Sequence, residues 1–296
     1  MNKLLMALLM ILLTASLVSA QQTQPGAAPP AGTSQASQTA AKRPPQAKTQ
    51  QEYKDYNTDY ALKGGAASEK AASDFAAKYP DSELRAYLYS KAMHEYQNEN
   101  NPGKMLAMGE KVLALDPDNS IALVLTATVL ADSLSDADQD REQKVAEIRK
   151  NSNHALETVD TGFVPPPGAT PDQIDAYKST LQSMAHSALG IMELKTGDDA
   201  GAEKDLRSAA ELNKTQPDPY IWYHLALAQD HLATAAADRN QQQKEYVEAL
   251  TSVNQALKYT ASNPDLGRLA QGERDRLQKL ASLPTPVQGE SRKPPQ

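Results

Sequence analysis

Small and aliphatic side chains recur along this chain at fixed offsets, and that recurrence limits the fold more than any single motif. Met93, Met105 and Val112 are separated by twelve and seven residues, with Pro117 closing the unit. Gly190, Ala202 and Ala209 repeat both offsets, and Ala249 and Ala256 keep the seven. Such a pattern belongs to a solenoid, because the places where neighbouring helices touch must return at the same positions in successive units.

The segments between those positions read as helices. Four dipeptides, Asn101-Pro102, Thr170-Pro171, Asp218-Pro219 and Asn263-Pro264, put a capping side chain directly before proline. The cap oxygen accepts an orphan N–H, and proline at the first helical position lacks a donor that had no partner there. Gln173, three residues after Thr170, completes a capping box. Apolar residues then recur three and four apart, as in Met105, Leu106, Val112 and Leu113, and in Ala202, Leu206, Ala209 and Ala210. No segment alternates as a strand would. The reading is all-α, with about eleven helices joined by short turns. The run 121–131 is apolar nearly all round yet too short to cross a bilayer, so it is expected to be a helix buried on most sides. With two Phe and one Trp in 296 residues, the core must be built from small and aliphatic side chains at close helix–helix distances.

The ends differ from the middle. Residues 1–20 combine Lys3, an apolar stretch over 4–13 and the small residues Val18, Ser19 and Ala20, which reads as a cleaved signal peptide. Residues 21–50, rich in Gln, Thr, Pro and Ala, read as a disordered tether, and 282–296 as a loose tail. Residues 51–281 are the expected folded domain. The absence of cysteine excludes disulfides, thiolate metal sites and a lipid-modified cysteine anchor. The formal charge of -7 supplies no basic stripe to neutralise phosphates, which argues against a nucleic-acid partner. A periplasmic or secreted bacterial protein is expected, without a transmembrane helix in the mature chain.

Taken jointly, these spacings resemble the tetratricopeptide repeat family, whose units read W-x2-L-G-x2-Y, then A-x3-F, then proline. One unit has Trp222, Leu225 and Ala226, then Ala249, Val253 and Ala256. Another has Leu189-Gly190, Gly197-Asp198 at the turn, then Ala202, Leu206 and Ala209. A third runs Tyr89, Ala92, Met93 and Tyr96, then Met105, Gly109, Val112 and Pro117, and the weakest begins at Ser120 with Leu123, Ala127 and Leu130. Upstream, Phe75 and the stretch Lys78-Tyr79-Pro80-Asp81-Ser82 resemble a helix ending of envelope-associated members. Two turns depart from the family pattern, with insertions expected near 132–141 and 235–243. Residues 264–280 are expected to be a polar capping helix.

The resemblance implies an α-solenoid of antiparallel hairpins in a right-handed superhelix, whose first helices line a concave groove. Carried onto this chain, the groove positions are Tyr87, Ser90, His94, Ile121, Val124, Thr128, Met184, Ser187, Ile191, Tyr220, Tyr223, Leu227 and His231. The paired Lys, Arg and Asn with which some members grip a C-terminal carboxylate are absent from those positions. The implied function is a non-catalytic scaffold that holds a protein or peptide partner of the envelope. An envelope structural protein anchored by its tails is the alternative.

Other chemistry is weakly supported. His94-Glu95-Tyr96-Gln97-Asn98 starts like a zinc-protease helix but carries Asn98 where the second histidine belongs. His224 and His231 share a helix face about 10 Å apart, too far for one ion. Asp136, Asp138, Asp140 and Glu147 have the carboxylate spacing of a calcium loop, but Arg141 replaces its glycine. The competing account is an acidic helix start facing the positive end of the macrodipole. No phosphate loop or nucleophile elbow occurs, so no catalytic residue, cofactor or metal is assigned.

Overall fold

The protein is described by a computed structural model that covers residues 42–166 and 168–282. The expected leader, the tether up to residue 41 and the tail from 283 onwards lie outside the described residues. Among the described residues eleven α-helices follow one another: α1 (Gln50–Tyr60), α2 (Gly65–Lys78), α3 (Arg85–Asn98), α4 (Pro102–Leu115), α5 (Ser120–Ser133), α6 (Arg141–Gly162), α7 (Pro171–Thr196), α8 (Asp199–Leu212), α9 (Pro219–Ala235), α10 (Arg239–Leu257) and α11 (Pro264–Ala281). No strand occurs among the described residues. The fold is all-α.

Helix starts follow from local chemistry. Asn101, Asp218 and Asn263 accept hydrogen bonds from the N–H groups of Lys104, Tyr220 and Leu266, with proline at the first helical position each time. Thr170 and Gln173 form the reciprocal box, at 3.3 Å from Gln173 N to Thr170 Oγ1 and 2.9 Å from Thr170 N to Gln173 Oε1. Thr49, Asn119, Asp198 and Asp238 cap four further helices. Asp238 corrects one expectation. The insertion near 235–243 is not a long turn, because Asp238 accepts from Gln241 N at 2.8 Å. The Gln- and Lys-containing run that follows consists mainly of good helix formers, so the extra residues lengthen α9 and α10 and leave only 236–238 between them. The other insertion does stay a turn, at 134–140, held by Asp138 accepting from Ser135 N at 2.9 Å.

The chain divides into two compact units, with the boundary inside α7 after Ala188. In the first unit each helix from α2 to α6 packs on its predecessor, around a core that includes Phe75, Leu88, Met93, Met105, Val112 and Leu125, with Leu181 and Met184 from α7. Helix α5 buries every residue from Ala122 to Ala127, as its all-round apolar sequence requires. In the second unit α9 packs on α8, α10 on α9, and α11 on α10. Ala226, Ala249, Val253, Ala270 and Leu277 form one of its clusters. Helix α11 is one-sided: it buries Leu266, Ala270 and Leu277 and leaves Arg268, Asp275 and Lys279 in solvent.

The recurring positions are the contact points. Met93, Val112, Ala202, Ala209, Ala249 and Ala256 are each fully buried, and Met105 nearly so. Gly190 shows why a small residue is needed: a Cβ there would meet Leu206 Cγ at 2.6 Å and the Ala202 carbonyl oxygen at 3.2 Å. Gly190→Leu and Ala226→Leu are therefore expected each to lower stability by roughly 1–3 kcal/mol through overpacking, read as a fall in the urea midpoint. Unchanged midpoints in both variants would contradict this packing register.

Candidate functional site

The first unit contains a cavity of about 740 Å³ bordered by α1, α3, the start of α5 and the chain after α6, a size within the usual range of ligand pockets. Helix periodicity builds its wall. Tyr87, Ser90 and His94 lie three and four residues apart on α3 and face it together, as do Tyr56 and Tyr60 on α1. Ser120 and Ile121 enter from the first turn of α5, and Phe163, Val164 and Pro165 from the segment after α6. Gly162 lets that segment approach: a Cβ there would collide with the Asp118 carbonyl. The rim is charged, with Glu83 and Asp116 facing Lys42 and Arg43.

Inside, the titratable groups are neutral near pH 7. Burial pushes the Tyr60 and Tyr87 phenols up to about 12 and Tyr56 further in the same direction. Burial also draws the His94 imidazole down to about 4, and its Nδ1 lies 3.2 Å from Gln97 Oε1. On the rim, the Arg43 guanidinium hydrogen-bonded to Glu83 holds that carboxyl below its usual range. Two buried hydroxyls on the wall, Tyr56 Oη and Ser120 Oγ, have no hydrogen-bond partner among the described residues, although buried polar groups normally find one. The cavity thus offers apolar and aromatic area, unsatisfied hydroxyls and a charged mouth.

Of the thirteen groove positions expected from the sequence, Tyr87, Ser90, His94 and Ile121 come together here. Val124 and Met184 are instead buried in the first unit's core, and Ile191 is buried in the second unit. Thr128 turns its hydroxyl onto the Val124 carbonyl, and Ser187 is half-buried. In the second unit Tyr220, Tyr223 and Leu227 are half-buried on α9, with both tyrosine rings against His224 at 4.1 and 5.5 Å between centroids. Exposed His231 places Nδ1 2.8 Å from Asp199 Oδ1.

Tyr56, Tyr60, Ser120 and Phe163 also line the cavity, without having been expected there from the sequence. The four-residue spacing of the two tyrosines on α1 was the available signal. Residues 42–49 were also expected in a disordered tether, whereas they make specific contacts. The Lys42 ammonium pairs with Asp116, Arg43 donates to both Glu83 oxygens at 2.9 and 2.6 Å, and Lys48 N donates to Glu52 Oε2 at 2.6 Å.

The calcium-like spacing is not assembled around an ion. Asp136 pairs with Arg141 at 3.2 Å, and Lys144 lies between Asp138 and Asp140 at 3.0 and 3.3 Å. Glu147 lies along α6, where burial raises its carboxyl. A second acidic group, Glu203, Glu245 and Glu248, is bridged by Arg207, which pairs with Glu203 and Glu248. No described helix is long and apolar enough to cross a membrane.

No family model, curated protein or solved structure matches this chain.

A histidine whose folded pKa is depressed is neutral in both states above about 6.5, and its unfolded form gains a proton first as pH falls. His94 therefore removes stability between about pH 6.5 and 4, to a total of roughly 3 kcal/mol at most. His94→Gln is expected to show a shallower fall of melting temperature over pH 6.5–4.5 than the unsubstituted chain. Parallel curves would show that His94 is not held neutral.

Proposed function

We propose that this chain is a non-catalytic interaction scaffold of tetratricopeptide type, exported to the bacterial periplasm or beyond, that holds a peptide or protein partner. The observation that carries the reading is the cavity of about 740 Å³ in the first unit. Its wall is drawn from α1, α3 and α5, the alternate helices that line the groove in that family, and four positions expected from the family pattern lie on it. Its chemistry suits recognition. Neutral phenols and Phe163 supply contact area at low entropic cost, as aromatic side chains do at interfaces. Two orphan hydroxyls and a charged rim supply direction. His94 Nδ1 faces the Gln97 amide oxygen at 3.2 Å. The successive packing of helices by small residues supports the family reading, and the envelope location rests on the leader read at 1–20.

Filling the cavity tests the function. Ser90→Trp puts a bulky ring on a half-buried wall position and is expected to reduce capture of an envelope partner at least ten-fold, with the helical circular dichroism spectrum retained. Full capture by a folded Ser90→Trp chain would refute the cavity as the site. Fractionation with N-terminal sequencing is expected to find mature protein beginning at Gln21 in the periplasmic or secreted fraction. An intact N-terminus in the cytoplasmic fraction would overturn the location.

A further inference from the structure

The rim of the cavity is closed on one side by the chain itself. Residues 42–46, Lys-Arg-Pro-Pro-Gln, run along its mouth. The Lys42 ammonium pairs with Asp116, and the Lys42 backbone N–H donates to the Thr161 carbonyl at 3.3 Å. Arg43 forms a two-pronged pair with Glu83, and the same carboxylate accepts from Gln46 N at 3.2 Å. Pro44 and Pro45 lie between these anchors, on the lining of a cavity walled by Tyr56, Tyr60, Tyr87 and Phe163. A proline pair against tyrosine rings is a general mode of recognising extended peptides, because proline pre-orders the chain and aromatic faces fit its ridged surface.

We infer that the cavity recognises an extended peptide segment with adjacent basic residues followed by prolines, and that residues 42–46 are its resident stand-in. The inference rests on the scaffold reading above and specifies its guest. Three observations favour this occupant. Of the charged groups on the lining, which include Asp81 and Arg85, Asp116 and Glu83 receive the consecutive cations Lys42 and Arg43. Arginine is the residue suited to Glu83, since its planar fork meets both carboxylate oxygens. The resident segment, moreover, leaves the site incompletely used: Tyr56 Oη and Ser120 Oγ are buried on the wall without a partner among the described residues, and about 740 Å³ is still open beside the segment.

The resident segment is held largely by solvated contacts: the Arg43 and Glu83 side chains are 62% and 45% exposed, and such pairs contribute little, while Lys42 and Asp116 are more sheltered at 35% and 17%. Tethering adds a local concentration in the millimolar range. A partner segment of the same edge chemistry that also reaches the buried hydroxyls has more to gain, and it displaces the resident without unfolding the helices.

The probe is a labelled peptide of residues 42–48, Lys-Arg-Pro-Pro-Gln-Ala-Lys, titrated against the full chain by fluorescence anisotropy, with a scrambled peptide as control. The Lys42→Ala/Arg43→Ala chain, its resident segment released, is expected to bind at least ten-fold more tightly than the unsubstituted chain and to discriminate against the scramble. Adding Glu83→Gln and Asp116→Asn to that chain is expected to abolish binding while the melting temperature stays within a few degrees. Equal affinity for released and unsubstituted chains, or binding that survives loss of both carboxylates, would overturn the inference. A dimer of the unsubstituted chain in light scattering that vanishes on Lys42→Ala/Arg43→Ala would assign the segment to exchange between copies and overturn it as well. If the peptide fails while Ser90→Trp still blocks partner capture, only the guest's chemistry is wrong; if Ser90→Trp also leaves capture intact, the scaffold reading falls with it.

Discussion

Close approach between neighbouring helices is the constraint on which the rest of this structure depends. No disulfide is available to staple the helices, and large aromatic side chains are few. The cores are held by small and aliphatic residues packed at short range, where dispersion and apolar burial are strongest. Gly190 against Leu206 and Gly109 against Thr126 mark places where even one added methyl would collide. Because helices within each unit lean on their predecessors, the contacts are local in sequence, and each hairpin depends on its neighbours to cover its second apolar face.

The same packing makes the cavity. Helices α3 and α5 turn one side toward the core and the other toward α1 and the chain after α6. Gly162 brings that chain close, so Phe163 and Pro165 complete a wall that the hairpins alone leave open. What results is a pocket whose depth is apolar and whose mouth is charged, a division of labour common in recognition sites: buried area supplies affinity, and the rim supplies orientation and selectivity. The orphan hydroxyls of Tyr56 and Ser120 fit this account, since buried polar groups without a partner are otherwise a net cost.

Charge elsewhere is absorbed by structure. The acidic run at 136–140 reads as a metal loop when only spacing is considered, yet Lys144 and Arg141 neutralise it at the start of α6. Arg207 does the same for Glu203 and Glu248, and Arg276 bridges Glu273 and the buried Asp230. In each case a cation from the same stretch of chain, or from the helix two along, pairs with the carboxylates.

Helix content, most helix starts and the contact residues were legible in the sequence because they depend on short-range chemistry. A cap oxygen, a proline at the first position and a period of three and four act within one or two turns, so Asn101, Thr170, Asp218 and Asn263 announced their helices. The burial of 122–127 followed from an apolar circumference, whereas Tyr87, Ser90 and His94 were positions that the family resemblance implied. Tertiary structure alone decided the rest. Nothing local says that the basic segment 42–46 returns to Glu83 and Asp116, some 40 and 74 residues onward, that Tyr56 joins a wall built by α3, or that Val124 turns inward while Ile121 faces the cavity. Those outcomes depend on which helix lies beside which and at what distance, and that is set by the summed packing of many side chains that no local pattern encodes.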